Sequence, residues 1–296
     1  MIPIQNIYYM LSYAFQVLNE QGYKNIATEQ FNNTGELMAA ILEKGIAIQL
    51  KRGLGKEYIL QTEALSSLRG KIDIAESIKT QSMLRKQLIC TYDEFSVNSI
   101  MNRIIKSTVE LLLRSNISKQ RKKNLRKLMV YFSEVDFIDL YTVNWNVQYN
   151  RNNQTYRMLI SICYLVVKGL LQTQSNGHTE LMDFLDEQRM CRLYEKFILE
   201  YYRKEFKNQF TANASQIPWQ LDNEENSMLP VMQSDIMLQS GEKVLIIDAK
   251  YYEHSTQVQF DKHTLHSGNL YQIFTYVKNK EYELREKNHT VSGMLL

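Results

Sequence analysis

The chain has 296 residues, 44% hydrophobic and 23% charged, the composition of an ordinary globular protein with room for two cored domains. Its net charge of +3 is too mild to mark a nucleic-acid binder by bulk charge, so any DNA contact has to come from local patches. Cys90, Cys163 and Cys191 lie far apart with no C-x-x-C pair, which excludes a disulfide framework and a cysteine zinc site and points to a reducing compartment.

The opening segment, from Ile2 to Ala14, leads into a helix. Ile7, Met10, Leu11, Ala14, Phe15 and Leu18 recur at helical spacing along one face. No basic stretch precedes it and its apolar residues form a stripe, so it is not read as a signal peptide. Tyr8, Tyr9 and Tyr13 beside that stripe are read as core or interface aromatics before base-stacking ones. A second helix is expected from about Glu36 to Gln49, and Arg52-Gly53-Leu54-Gly55-Lys56 is a turn, too short to be a phosphate loop. Glu57 to Ile74 is strand-like with a break at Gly70, and Lys79 to Lys86 is a basic loop or extension.

Ser99 to Leu113 is a strong helix with Ile100, Ile104, Ile105, Thr108, Leu111 and Leu112 facing inward. Lys119 to Lys127, KQRKKNLRK, is the most basic run of the chain. Phosphate binding is open to it, but Leu125, Leu128, Met129 and Phe132 make a solvated helix face the preferred reading. Val143-Asn144-Trp145 is a short strand-like or extended piece, and Tyr156 to Leu171 is a buried helix. No stretch reaches the length of a membrane span, so a soluble, cytoplasmic protein with no membrane contact is expected. Gln172 to His178 is the best linker, which places a domain boundary near residue 180, between residues 1–180 and 181–296.

The second half opens with a helix from about Cys191 to Phe206, its stripe formed by Leu193, Phe197 and Tyr201. Glu195 and Glu200 sit among these aromatics on different faces. An acidic, irregular stretch, Leu221 to Leu229, feeds a β-hairpin. Its arms are Val231 to Leu238 and Lys243 to Ala249, joined through Gln239-Ser240-Gly241-Glu242. Strand alternation places Asp248 and Lys250 on one face with Ile246. A turn centred between Ser240 and Gly241 sets Asp235 opposite Ile246, so Asp235 and Asp248 become diagonal neighbours roughly 7–8 Å apart.

Two carboxylates and an ammonium at the edge of an apolar sheet are costly without a compensating ion or substrate. Oxygen ligands from Asp235 and Asp248, with the Ala249 carbonyl, suit Mg²⁺ and its retained waters. Lys250 is then placed to orient or deprotonate an attacking water, or to neutralise a phosphate, which is the chemistry of metal-assisted phosphodiester hydrolysis.

After Lys250 comes a polar loop, Tyr251 to Ser267, whose His254, His263 and His266 do not have zinc spacing. These histidines are read as loop residues near a substrate groove. A helix from Asn269 to Val277 puts Gln272 and Tyr276 on one face, and Thr290 to Leu296 begins another core strand. The chain contains no G-x-x-x-x-G-K-[ST] phosphate loop.

Ser234-Asp235, Asp248-Ala249-Lys250 and the flanking helices together resemble the PD-(D/E)xK nuclease signature, with serine in place of proline. Gln272-x-x-x-Tyr276 resembles the motif that follows it in RecB-like members. Collinear segments then extend the likeness over the whole chain. They are IPIQNIYYMLSYAF from Ile2, KRGL from Lys51, RGKID from Arg69, NRIIKST from Asn102, LYEKF from Leu193, MLPVMQSDI from Met228, LIIDAKYY from Leu245 and NLYQIFTY from Asn269. In this the chain resembles the McrC family, the nuclease subunits of McrBC 5-methylcytosine-specific restriction systems.

The resemblance implies an α+β protein. A mostly helical N-terminal region with a small β-rich part, residues 1–180, binds and stimulates the partner. A restriction-endonuclease-like α/β domain, residues 181–296, follows. It implies Mg²⁺, held by Asp235 and Asp248 with Glu195 (or else Glu200) from the first helix of that domain. By motif match Asp235, Asp248 and Lys250 are the catalytic positions, and Gln272 is carried over by motif position, to hydrogen-bond the catalytic lysine or a DNA strand. It also implies a hexameric McrB-like AAA+ GTPase as partner, which binds the GTP that this chain does not, and double-stranded DNA with methylated cytosine as substrate. Members of that family continue past the strand matching Val291 to Leu296, so the nuclease domain is expected to be incomplete at its C-terminal end. The competing expectation is a non-catalytic regulator of the partner NTPase that keeps a nuclease-like scaffold.

Overall fold

Periodicity in the chain resolves into alternating helical and extended segments in the computed structural model, which describes residues 3–19, 23, 25–26, 29–150, 153–175, 187–222, 228–250, 257–259, 262–264 and 266–296. Two units emerge, Thr28–Asp183 and Met1–Ala27 with Phe184–Leu296. One break lies between Asp183 and Phe184, and helix α1 (Ile4–Ala14) is grouped with the later part of the chain.

The unit Thr28–Asp183 is built on helices and a small sheet. Helix α2 (Thr34–Arg52) starts where the Asn33 side chain accepts the Glu36 N–H at 2.8 Å, and ends at Gly53, whose φ of 90° disfavours a side chain. Strands β1 (Glu57–Leu65), β2 (Lys71–Asp73) and, after the short helix α3 (Ile74–Lys79), β3 (Leu88–Ser96) form an antiparallel sheet in the order β1-β3-β2. Gly70 is required at the entry to β2. Its φ is 67°, and a Cβ there lies 2.3 Å from the Thr91 carbonyl oxygen.

Helix α4 (Ile100–Arg114) buries Ile104, Ile105, Thr108 and Leu112 as its pattern predicts, while Ile100 and Leu111 are half-buried. It also buries Asn102, which the pattern did not flag. Asn102 donates to Gly55 O at 2.9 Å and Val97 O at 2.8 Å, and accepts from the Tyr156 hydroxyl at 2.7 Å. The basic run is helix α5 (Lys119–Met129), and Tyr156–Ser175 is helix α6, longer than the expected Tyr156 to Leu171. Val143-Asn144-Trp145 forms no strand, although Trp145 packs edge-on against Tyr164 at 5.2 Å.

In the other unit, helix α7 (Glu187–Glu205) precedes the short strands β4 (Thr211–Asn213), β5 (Gln216–Ile217) and β6 (Met232–Gln233). The hairpin follows as β7 (Ile236–Ser240) and β8 (Lys243–Asp248), then the small ladder β9 (Gln257–Gln259) with β10 (Lys262–Thr264), helix α8 (Ser267–Glu283) and strand β11 (Thr290–Leu295). The main sheet has the order β11-β8-β7-β4, with β11 parallel to β8 and β7 antiparallel to it.

Alternation divides the sheet between two cores. Val244, Ile246 and Met237 pack with Ile273 and Tyr276 of α8, whereas Ile236, Leu238 and Ile247 pack with Ile198 of α7. Tyr9 and Tyr13 of α1 meet Phe197 at 5.7 and 5.6 Å, so these tyrosines join the aromatic packing on α7, as their place beside the stripe implies. All three cysteines are unpaired, and no helix among the described residues is long and apolar enough to cross a membrane. His254 and residues 176–178 of the expected linker lie outside the described residues, as does the side chain of His263, while residues 172–175 of that linker continue helix α6 instead.

Candidate active site

The candidate site is built where an apolar strand runs out. Strand β8 reads Lys-Val-Leu-Ile-Ile-Asp, and its buried β-branched residues carry Asp248 inward to 1% exposure. Ser240 pairs with Lys243, so Gly241-Glu242 is the two-residue turn, with Gly241 at a φ of 56°. The turn therefore falls one residue later than the spacing of the two apolar runs implies. Ile236 pairs with Ile247, and one further step sets Asp235 opposite Asp248 instead of opposite Ile246. A slip of two positions preserves the face, so the two aspartates still share one side of the hairpin, closer than a diagonal pair.

Asp235 has left the ladder but replaces one of its bonds. Its Oδ2 accepts the Ala249 N–H at 2.9 Å, which ties the end of one arm to the end of the other. The preceding residue explains itself locally. Ser234 is 1% exposed, donates its N–H to Ser215 O at 3.0 Å and sets its hydroxyl 3.1 Å from the same oxygen. Proline at this position lacks that N–H. No pattern in the sequence announces the Ser215–Ser234 lock, because the two residues are 19 positions apart.

Lys250 lies just past β8. Its backbone N–H is held by Leu296 O at 2.8 Å, and its ammonium stands 2.9 Å from Asp248 Oδ1. Among the described residues neither Asp248 oxygen accepts a hydrogen bond of good geometry, so a fully buried carboxylate is left with one ionic neighbour.

Glu195 of α7 contributes the third negative charge. Burial raises its pKa, the Asp248 charge adds to that, and Lys250 and Arg192 oppose it. Burial, foremost, then the charges of Glu195 and Asp248, push the Asp235 carboxyl up to about 7, against the Ala249 N–H and Lys250. Glu200, the other helix glutamate, instead forms an i,i+3 pair with Arg203 at 2.8 Å. Gln272 and Tyr276 share a face of α8 as expected, with Gln272 Nε2 donating to the Tyr276 hydroxyl at 3.0 Å, so that amide is turned along its own helix.

The structure thus brings Asp235, Asp248, Lys250 and Glu195 into one electrostatic cluster. Among the described residues no three His, Cys, Asp or Glu side chains are already drawn together as a metal cage.

Residues 5–288 match the model of the family described as McrBC 5-methylcytosine restriction system component. The chain is 30% identical over 302 residues to the type IV methyl-directed restriction enzyme EcoKMcrBC of Escherichia coli (strain K12), across 100% of this chain and 85% of that protein. It is also similar, at 20% identity and a TM-score of 0.52, to a chain of the refined half-complex from the tetradecameric assembly of Thermococcus gammatolerans McrB AAA+ hexamers with bound McrC, over 99% of this chain and 63% of that one. Against the Thermococcus gammatolerans McrBC complex the values are 22% identity and a TM-score of 0.47, over 69% and 59% of the two chains. By the extent of the family match and of the Escherichia coli relative, this chain belongs to the McrBC 5-methylcytosine restriction system component family, as an McrC-type member.

Proposed function

We propose that the chain is the Mg²⁺-dependent endodeoxyribonuclease subunit of a methylation-dependent restriction complex, with a PD-(D/E)xK-type site in the unit that contains α7 and the hairpin. The observation that carries this reading is the cluster at the end of β8, in which buried Asp248 pairs with Lys250 at 2.9 Å and half-buried Asp235 and Glu195 feel the charges of both. Here the Lys250 ammonium stands 2.9 Å from Asp248 Oδ1 while no hydrogen bond of good geometry reaches either Asp248 oxygen among the described residues, and Asp235 is destabilised as an anion.

A divalent ion fits this donor set. Mg²⁺ is commonly held by one or two carboxylates with several retained waters, so Asp235 and Asp248 suffice without a preformed cage, and Glu195 adds a further carboxylate. When bound, such an ion activates water and offsets charge developing on a phosphodiester. The remaining work falls to the chain. The Asp235 contact with Ala249 N–H fixes the end of the hairpin, and Asp248 sets the position of the Lys250 ammonium. The Lys250 ammonium is then placed to orient the attacking water or balance charge on the phosphate; accepting the water's proton requires that it first give up one of its own. Gln272, tied to Tyr276, supports the DNA strand or the lysine from α8.

The chain carries no phosphate loop of its own, which fits a division of labour with a separate motor. The Escherichia coli relative is a methyl-directed restriction enzyme, and the Thermococcus gammatolerans assembly joins McrB AAA+ hexamers with bound McrC. By that likeness the partner here is a McrB-like AAA+ GTPase hexamer that binds GTP, and the substrate is double-stranded DNA with methylated cytosine.

The test is cleavage of methylated plasmid with partner, GTP and Mg²⁺. Asp248→Ala should abolish it, and Lys250→Ala should lower it by about 10²–10⁴-fold, with partner binding and GTPase stimulation intact. Cleavage that survives both changes removes the site and leaves the regulator reading.

A further inference from the structure

The most basic run of the chain becomes, once folded, a one-sided device. Within α5 the residues Lys119, Lys122, Lys123, Arg126 and Lys127 fall at i, i+3, i+4, i+7 and i+8, which is a single helical stripe about 12 Å long. No aspartate or glutamate occurs in the helix. Among the described residues none of the five makes an ion pair; four are exposed and Lys122 is half-buried.

The sixth basic residue does something different. Arg121 points inward, bonded to Glu43 at 2.8 Å, close to Glu36 at 3.7 Å and paired with Glu29. Asn124 donates to Glu43 at 2.9 Å, and Leu125 is fully buried. Together these bonds fix the rotation of α5 against α2. The outer stripe is therefore held outward as a block of five like charges, which repel one another, with Arg126 and Lys127 in the last turn gaining from the helix dipole and Lys119, Lys122 and Lys123 not. Solvation alone does not require such segregation, since interspersed signs keep a helix soluble at less cost.

We propose that this stripe is a second contact site for nucleic acid, which grips the phosphate backbone of duplex DNA without reading its sequence. Four of its five residues are lysines. Lysine is depleted from protein–protein interfaces, whereas lysine and arginine supply the counterion-releasing contacts to phosphate. The site lies in the unit Thr28–Asp183, apart in sequence from Asp235, Asp248 and Lys250, and it requires no cleavage.

The experiment is fluorescence anisotropy of the full chain on a labelled, unmethylated 25-base-pair duplex, in EDTA, across a salt series. Changing Lys122, Lys123, Arg126 and Lys127 together to glutamine should weaken binding at least 10-fold at low salt. It should also flatten the slope of log affinity against log salt by about 2–3, at about 0.9 for each phosphate no longer neutralised. Glutamine is as good a helix former as lysine, and circular dichroism checks that α5 persists. Lys122→Arg with Lys123→Arg and Lys127→Arg keeps the charge and should keep the slope. An unchanged slope in the glutamine variant overturns the proposal. So does loss of GTPase stimulation by the partner with DNA binding unaltered, which assigns the stripe to a protein surface instead.

Discussion

Asp235 is the residue whose charge state the fold disturbs most legibly. Its ordinary pKa near 3.8 rises to about 7, because burial and two neighbouring carboxylates oppose its ionisation. Between these values the folded chain binds a proton that the unfolded chain has released. Stability of the metal-free protein should therefore fall as pH climbs from about 4 to about 7, and level off above that. Asp235→Asn retains an acceptor for the Ala249 N–H and removes the titration. In thermal melts it should flatten this slope and melt above the parent at pH 8. Added Mg²⁺ should raise the parent's melting temperature and not the variant's. A slope that persists in the variant assigns the pH response to another group. The choice between the two helix glutamates also belongs to this scale. Glu200 is engaged by Arg203, while Glu195 feels Lys250 and Asp248.

At the scale of elements, two turns decide where functional strands begin. Gly241 makes the two-residue turn that brings Asp235 opposite Asp248. Gly70 admits the chain to β2, with the Thr91 carbonyl where a Cβ belongs. Gly70→Ala must strain a positive φ and displace backbone, at a cost of at least about 2 kcal/mol. Hydrogen exchange should show protection lost at residues 71–73 and their partners 89–91, with α7 and the main sheet unaffected. Protection equal to the parent's at β2 shows that the backbone relaxes around the methyl. Gly70 is legible from sequence as a break in a strand pattern; the carbonyl that makes it obligatory comes from Thr91, on the paired strand β3.

At the scale of the whole molecule, the first helix marks the limit of reading a chain in order. Its apolar stripe is plain in sequence, and Ile7, Met10, Leu11 and Ala14 are all buried. Its partner is α7, where Tyr13 also bonds Glu205, 192 residues downstream, at 2.8 Å. Leu11 is 0% exposed, so Leu11→Ala should cost about 2–5 kcal/mol. Exchange protection should fall in α7 and not in Thr28–Asp183; a loss confined to the latter contradicts the grouping of α1.

Sequence by itself determined the helices and strands with clear periods, the hairpin that ends in Asp248 and Lys250, and the collinear motifs that identify the family. These are properties of neighbouring residues, set by side-chain spacing of about two or 3.6 residues along one segment. Tertiary structure decided the hairpin register, the Ser215–Ser234 lock, the inward turn of Arg121 with its outward stripe, and the partner of α1. Each of those depends on contacts between segments far apart in the chain, and a local period carries no information about which distant surface its face will meet.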